Sequence, residues 1–204
     1  MKTDKGDDRM QSNFFALMAR MKYINRWALM RNAHEENLSE HSLDVAITAH
    51  ALVLLHNQDA ETPLSAERAA VLALFHDAPE ILTGDMPTPV KYYNTQVRDA
   101  YRLVEENACE TILALLPEPL RDAYRPMFVP QPEDAPLWRF VKAADKICAL
   151  TKCIAERQAG NLEFEQAAAS TLRAIREMQC PEADRFIEQF LPGFEKTLDE
   201  LRVV

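Results

Sequence analysis

The sequence predicts an all-α protein, a single-domain bundle of about eight helices. Three observations carry this. Apolar residues recur at three- and four-residue spacing along most of the chain, alternating β-branched runs are missing, and only four of the 204 residues are Gly. Those glycines (Gly6, Gly84, Gly160 and Gly193) allow neither a G-x-G-x-x-G turn nor a Walker loop, which excludes the usual glycine-rich phosphate cradles.

The opening stretch "MKTDKGDDRM" is charged and reads as a flexible extension over residues 1–10, with the domain running over 11–204. A first helix is expected over 12–24, starting at Ser12 before "NFFALMAR". The second, over 39–56, starts at Ser39, and the third, over 65–82, at Ser65 before "AERAAVLALF". Helices over 89–116 and 117–125 follow, and prolines clustered in 117–136 mark a connector. "LWRFVKAADKICAL" belongs to a helix over 134–158, with Gly160 as its stop. The last two span 161–178 and 182–202.

Composition narrows the function. Hydrophobic residues at 48% and charged ones at 27% fit a soluble globular chain. A formal net charge of -9, from 32 acidic against 23 basic side chains, argues against a grip on a nucleic acid polymer. A small anionic ligand stays compatible, because one or two Arg residues can act locally against the global sign. Cys109, Cys148, Cys153 and Cys180 form no C-x-x-C pair and read as buried and reduced. No apolar stretch reaches the roughly 20 residues of a membrane span, so no membrane partner is expected. The charged N-terminus lacks a signal-peptide core, which makes the cytoplasm the expected location.

All five histidines lie within the first 76 residues. His41 shares a helical stripe with Leu38, Val45, Thr48 and Leu52, and His76 shares one with Ala69 and Leu72. His50 falls with Leu43, Ala46, Ile47 and Leu54 and reads as a core residue; His34 also reads as a non-ligand and His56 as solvated. The stretch "VLALFHDAPEILTGDMPTPV" ends an apolar helix in His76, Asp77, Glu80 and Asp85. Such groups, once buried, must be paired, solvated or bound to a metal. Asp145 lies four residues after Val141, seven after Trp138 and three before Cys148, so it too falls on an apolar helix face. A cation would balance it, either a metal or a paired Arg or Lys.

The order His41, His76-Asp77, Asp145 resembles the H…HD…D tetrad of the HD-domain metal-dependent phosphohydrolases. "MKYINRWALMRN", "NLSEHSLDVA", "FHDAPEILTGDMPTPVKYYN" and "KAADKICALTKC" extend the likeness. Over most of residues 11–200 the chain is similar to the bacterial HD-domain 5'-deoxynucleotidase family. The resemblance implies a bundle of HD type, a homodimer, and one divalent cation per chain (Co²⁺, Mn²⁺, Mg²⁺ or Zn²⁺) held by His41, His76, Asp77 and Asp145. The absence of any His after His76 favours a mononuclear site.

The implied activity is hydrolysis of deoxyribonucleoside 5'-monophosphates to deoxynucleoside and phosphate, selective against ribonucleotides and tolerant of the base. In that reading Glu80 is the general acid/base and Arg26 binds the phosphate. Trp27 flanks the sugar, Asp85 meets its 3'-hydroxyl, and Asp85, Met86, Pro87 and Thr88 wall the nucleoside. His41, Asp77 and Asp145 count among the substrate contacts as well. Pro79 departs from the family pattern and predicts a kink just where Glu80 must be aimed. Two other readings stand beside this one. One is an HD phosphohydrolase for deoxynucleoside triphosphates or cyclic and signalling nucleotides; the other is a non-catalytic helical interaction module.

Overall fold

The computed structural model describes residues 11–91 and 93–201, and no strand occurs among them. The expected extension over 1–10 lies outside the described residues, as does the end of the helix expected to reach 202. Among the described residues there are eight helices of five residues or more and two single turns of four, which matches the expected bundle.

The chain opens with α1 (Phe14–Met18), extended by a 3₁₀ turn over Ala19–Tyr23. Ser12 is not a simple cap. Its hydroxyl accepts from the Phe14 amide and donates to the Leu115 carbonyl, tying the N-terminal segment to a distant helix end. The loop that follows leads into α2 (Leu38–Asn57). The cap of α2 is Asn37, not the expected Ser39. Asn37 Oδ1 accepts from the Ser39 and Glu40 amides, and the Glu40 carboxylate accepts from the Asn37 amide. This reciprocal box satisfies donors that a bare helix start leaves open.

The helix expected over 65–82 is two helices. α3 (Ala66–Phe75) starts at Ser65 as expected, and α4 (Glu80–Thr83) follows a turn at 76–79. Pro79 explains the break. It has no N–H for the ladder, and its ring disfavours a helical Ala78 before it. The chain tightens instead, with Ala78 N–H on the Phe75 carbonyl and Glu80 N–H on the Asp77 carbonyl. The helix expected over 89–116 also divides, into α5 (Thr88–Lys91) and α6 (Thr95–Ala114), the latter capped by Asn94. α7 (Glu118–Phe128) carries Pro126 inside it, so the proline-rich connector is partly helical. α8 (Ala135–Gln158), α9 (Glu165–Glu177) and α10 (Pro181–Phe190) complete the bundle, with Gly160 at φ 81 just beyond the end of α8. Beyond α10 the chain runs as a 3₁₀ turn over Leu191–Glu195 instead of continuing as the expected long helix.

The main core joins α2, α3, α8 and α10 through Val45, Leu52, Leu72, Phe140, Ile147 and Ala183. Burying a side chain such as Leu52 or Leu72 contributes about 1.5–3 kcal/mol. A second cluster, with Phe14, Ile112, Leu113 and Phe128, packs α1, α6 and α7 together. Met21, Leu38 and Ile81 form a small third cluster that pins the N-terminal turn to α4.

All four cysteines are free and buried, as expected. The face of α2 carrying Leu43, Ile47 and Leu54 is exposed, so the core placement expected for His50 is corrected to a half-buried one. His56 is not simply solvated: its Nδ1 lies 2.7 Å from Glu182 Oε1. By length and composition α2 could cross a membrane, which corrects the expectation that no stretch is long enough, and more than half of it is buried inside the bundle.

Candidate active site

Four segments bring the site together. The N-terminal part of α2 supplies His41, fully buried at 0% exposure. The turn after α3 supplies His76 and Asp77, α4 supplies Glu80, and the middle of α8 supplies Asp145. The proline break at 76–79 has a chemical result. Neighbours on a regular helix diverge by about 100°, whereas the turn lets His76 Nε2 come within 3.1 Å of Asp77 Oδ2. One ligand atom from each of His41, His76 and Asp77 lies within 4.8 Å of the others. Asp145 stands at the edge of this trio, half-exposed, with Oδ1 at 3.1 Å from His41 Nε2.

These residues fit a divalent cation. His76 Nδ1 donates to the Ala73 carbonyl at 2.7 Å, which leaves the Nε2 lone pair free, and Nε2 is buried without a hydrogen bond. A backbone carbonyl that fixes the tautomer of a ligating imidazole is a recurrent support for bound metals. Two imidazoles with one or two carboxylates make a mixed N/O set suited to borderline divalent ions.

Arg26 closes the other side. Its Nη1 donates to Asp77 Oδ2 at 3.3 Å, and its side chain is 11% exposed. Trp27 follows with its backbone at φ 60, a left-handed conformation. Its amide donates to Asp85 Oδ2 at 3.2 Å and its indole Nε1 to Glu36 Oε2 at 2.9 Å. The ring lies 5.3 Å from the Phe164 ring, so Trp27 backs onto Phe164 and not onto the exposed Leu29. Met86 and Pro87 lie in the stretch between α4 and α5, and the Pro87 carbonyl receives the Val90 and Lys91 amides. Thr88 opens α5 and is exposed.

The electrostatics divide the acids into two kinds. Burial would raise the Asp77 carboxyl, but the charges of His76, His41 and Arg26 hold it well below the usual range. Asp145 is likewise lowered: desolvation in the site works to raise it, and the hydrogen bond to His41 outweighs that. Burial would depress His41, yet Asp145 and Glu36 bring it up to about 9. Glu80 moves the opposite way from its neighbours. Burial, then the charges of Asp77 and Asp85, push it up to about 9, and its Oε2 is buried with no partner. The break at Pro79 therefore buries Glu80 beside the acidic cluster instead of turning it out to solvent.

Two residues that sequence reasoning missed organise this site. Glu36 contacts Trp27, and lies 3.3 Å from His41 Nδ1 and 3.8 Å from Arg26 Nε. Glu156, buried on α8, accepts from the Ala33 amide at 2.7 Å, the His34 amide at 3.1 Å and Asn161 Nδ2 at 2.7 Å, and pairs with Lys152. It anchors the loop between α1 and α2, the loop that carries Arg26 and Trp27. Glu36 lies in a loop off any periodic stripe; Glu156, three residues after Cys153 and eight after Cys148, falls on the buried face of α8, which signals its burial but not its partners.

The sequence family described as 5'-deoxynucleotidase YfbR-like matches residues 13–194. The chain belongs to this YfbR-like family. A curated relative, the 5'-deoxynucleotidase VV1113 of Vibrio vulnificus, is 47% identical over 191 residues, covering 94% of this chain and 98% of that one. A 5'-deoxynucleotidase of Erwinia tasmaniensis is 46% identical over 192 residues, covering 94% and 97%.

Solved structures share the helical fold of the chain. An HD-domain phosphohydrolase from Listeria innocua superposes with a TM-score of 0.75 at 24% identity, covering 89% of this chain and 88% of that one. The cyanophage S-2L HD phosphohydrolase DatZ, bound to dA and one catalytic Zn²⁺ ion, superposes with a TM-score of 0.62 at 19% identity, covering 89% and 96%.

Proposed function

We propose that the protein is a metal-dependent 5'-deoxynucleotidase, hydrolysing deoxyribonucleoside 5'-monophosphates to deoxynucleoside and phosphate. The observation that carries this reading is the convergence of His41, His76 and Asp77 within 4.8 Å beside a buried Arg26, in a chain of the YfbR-like family.

In this reading His41, His76, Asp77 and Asp145 hold one divalent cation. The N/O donor set is compatible with Co²⁺, Mn²⁺, Mg²⁺ or Zn²⁺, and the Zn²⁺ of the cyanophage neighbour supports a single ion. When bound, the ion supplies Lewis-acid polarisation of a phosphoryl oxygen and lowers the pKa of a water. The guanidinium of Arg26 binds the phosphate as a planar fork, since the phosphate competes with Asp77 for the same donor face. Glu80, kept neutral by its surroundings, holds a proton at Oε2 that can pass to the departing 5'-oxygen of the sugar. Trp27 crowds the sugar where a 2'-hydroxyl would lie, and Asp85, Met86, Pro87 and Thr88 form the nucleoside wall. Asp85 is fixed by the Trp27 amide, so the group assigned to the 3'-hydroxyl and the ring assigned to the sugar move as one unit. The reading carries with it a homodimer in the cytoplasm, checked by light scattering and cell fractionation.

The deciding experiment is a phosphate-release panel over paired ribo- and deoxyribonucleotides, with each of the four ions added in turn. Release from dAMP and not from AMP supports the proposal. Pyrophosphate or triphosphate release from dNTPs would replace it with a triphosphohydrolase. A purified chain that takes up no metal and hydrolyses nothing would make it an interaction module.

A further inference from the structure

Glu36 lies outside the set assigned above, yet its carboxylate meets three members of that set, and its two oxygens divide the work. Oε2 accepts from the Trp27 indole at 2.9 Å, while Oε1 lies 3.3 Å from His41 Nδ1 and 3.8 Å from Arg26 Nε. The main chain repeats the arrangement. The Arg26 amide donates to the Glu36 carbonyl at 2.9 Å, and the Leu38 amide to the Ile24 carbonyl at 3.0 Å, around an antiparallel Asn25–Asn37 bridge.

Two features need such a clamp. Trp27 sits at φ 60 without being Gly. A left-handed residue of that size is strained and persists only where the surroundings over-determine it. The indole bond to Glu36 and the amide bond to Asp85 do so here. Arg26 Nε and His41 Nδ1, in addition, are buried without hydrogen bonds, so the charge of Glu36 offsets their desolvation on that edge.

We propose that Glu36 is a positioning residue: one carboxylate that holds Trp27 on the sugar side, Arg26 on the phosphate side and His41 on the cation side in a single register. The names of those three sides rest on the deoxynucleotidase reading; the clamp itself rests on the geometry.

The division of oxygens makes the role separable. In Glu36→Gln one oxygen still accepts from the indole, but the amide nitrogen faces two other N–H donors. That variant is expected to keep the dAMP-over-AMP preference while KM for dAMP rises about tenfold and Zn²⁺ retention on dialysis weakens about tenfold. In Glu36→Ala both contacts are lost. Its preference for dAMP should fall about tenfold as well. In a Trp138→Phe background, which leaves Trp27 as the sole indole, its acrylamide quenching should also rise, whereas Glu36→Gln leaves quenching unchanged.

Glu36→Ala with unaltered quenching and preference overturns the proposal, as does Glu36→Gln with unaltered KM and metal retention. Should Glu36→Ala fail to fold, the Glu36→Gln result decides alone. If the unsubstituted protein released no phosphate from dAMP, the function above would fall, while the quenching and Zn²⁺-retention arms would still decide the clamp.

Discussion

Arg26 Nη1 and Asp77 Oδ2 meet at 3.3 Å across 51 positions of sequence, and the same oxygen lies 3.1 Å from His76 Nε2 and 3.6 Å from His41 Nε2. One carboxylate oxygen thus links the guanidinium to both imidazoles. Arg26 is thereby held beside the two imidazoles before any ligand arrives, which reduces ordering on binding.

Arg26→Ala is expected to raise KM for dAMP and lower kcat together, because a phosphate clamp acts in the ground state and the transition state alike. Arg26→Lys should recover only part of the loss, since an ammonium lacks the planar fork. Steady-state kinetics of the two variants against the unsubstituted protein check this, and unchanged constants would remove Arg26 from the site.

Glu80→Gln should bind its cation normally and lose about 10²–10⁴ in turnover. Glutamine fills the same space without a proton of suitable acidity to give. Metal content per chain, measured beside phosphate release, separates a chemical role from a structural one. A fully active variant would reject the role.

Removing the proposed cation should abolish activity and lower stability, because the residues assigned to it come from α2, the turn after α3, and α8. Adding it back at a hundred times its Kd should stabilise the folded state by about 2.7 kcal/mol. Calorimetry with and without chelator reads the shift, and His76→Ala should show none.

Glu156 gives a pH dependence. Its burial would raise the carboxyl, but Lys152, the Ala33 amide, Asn161 and the His34 amide bring it down to about 2 from an ordinary 4.5. The folded state therefore binds this proton less readily than the unfolded state does. Its contribution is complete above pH 4.5 and is lost as the pH falls towards 2. Glu156→Gln should be less stable at neutral pH and show a flatter decline over that interval, as urea titrations at several pH values would reveal.

The bundle was legible because α3 and α8 carry clear apolar spacing and α2 is apolar throughout, and these helices bring the buried His41 next to Asp145, whose side chain is half-exposed. The local geometry was less so. Pro79 reads in sequence as a kink in one helix, while the structure ends α3 four residues earlier at Phe75, whose carbonyl takes the Ala78 amide in place of the ladder bond that Pro79 cannot make. The outward Leu43, Ile47 and Leu54 escaped detection since α2 is apolar on nearly every side, and periodicity cannot tell in from out there. Glu36 and Glu156 were hidden for another reason. Their partners are loop amides and distant side chains, and no spacing rule records contacts made across the fold.

The left-handed backbone at Trp27 means that the version of this loop the site uses is not its most relaxed version. Glycine there would release about 1 kcal/mol or more of torsional strain and erase the indole at the same stroke. Heat resistance does not favour that exchange, because the packing on Phe164 and the bond to Glu36 leave with the indole; the contacts that aim the ring are the ones that make its strain tolerable.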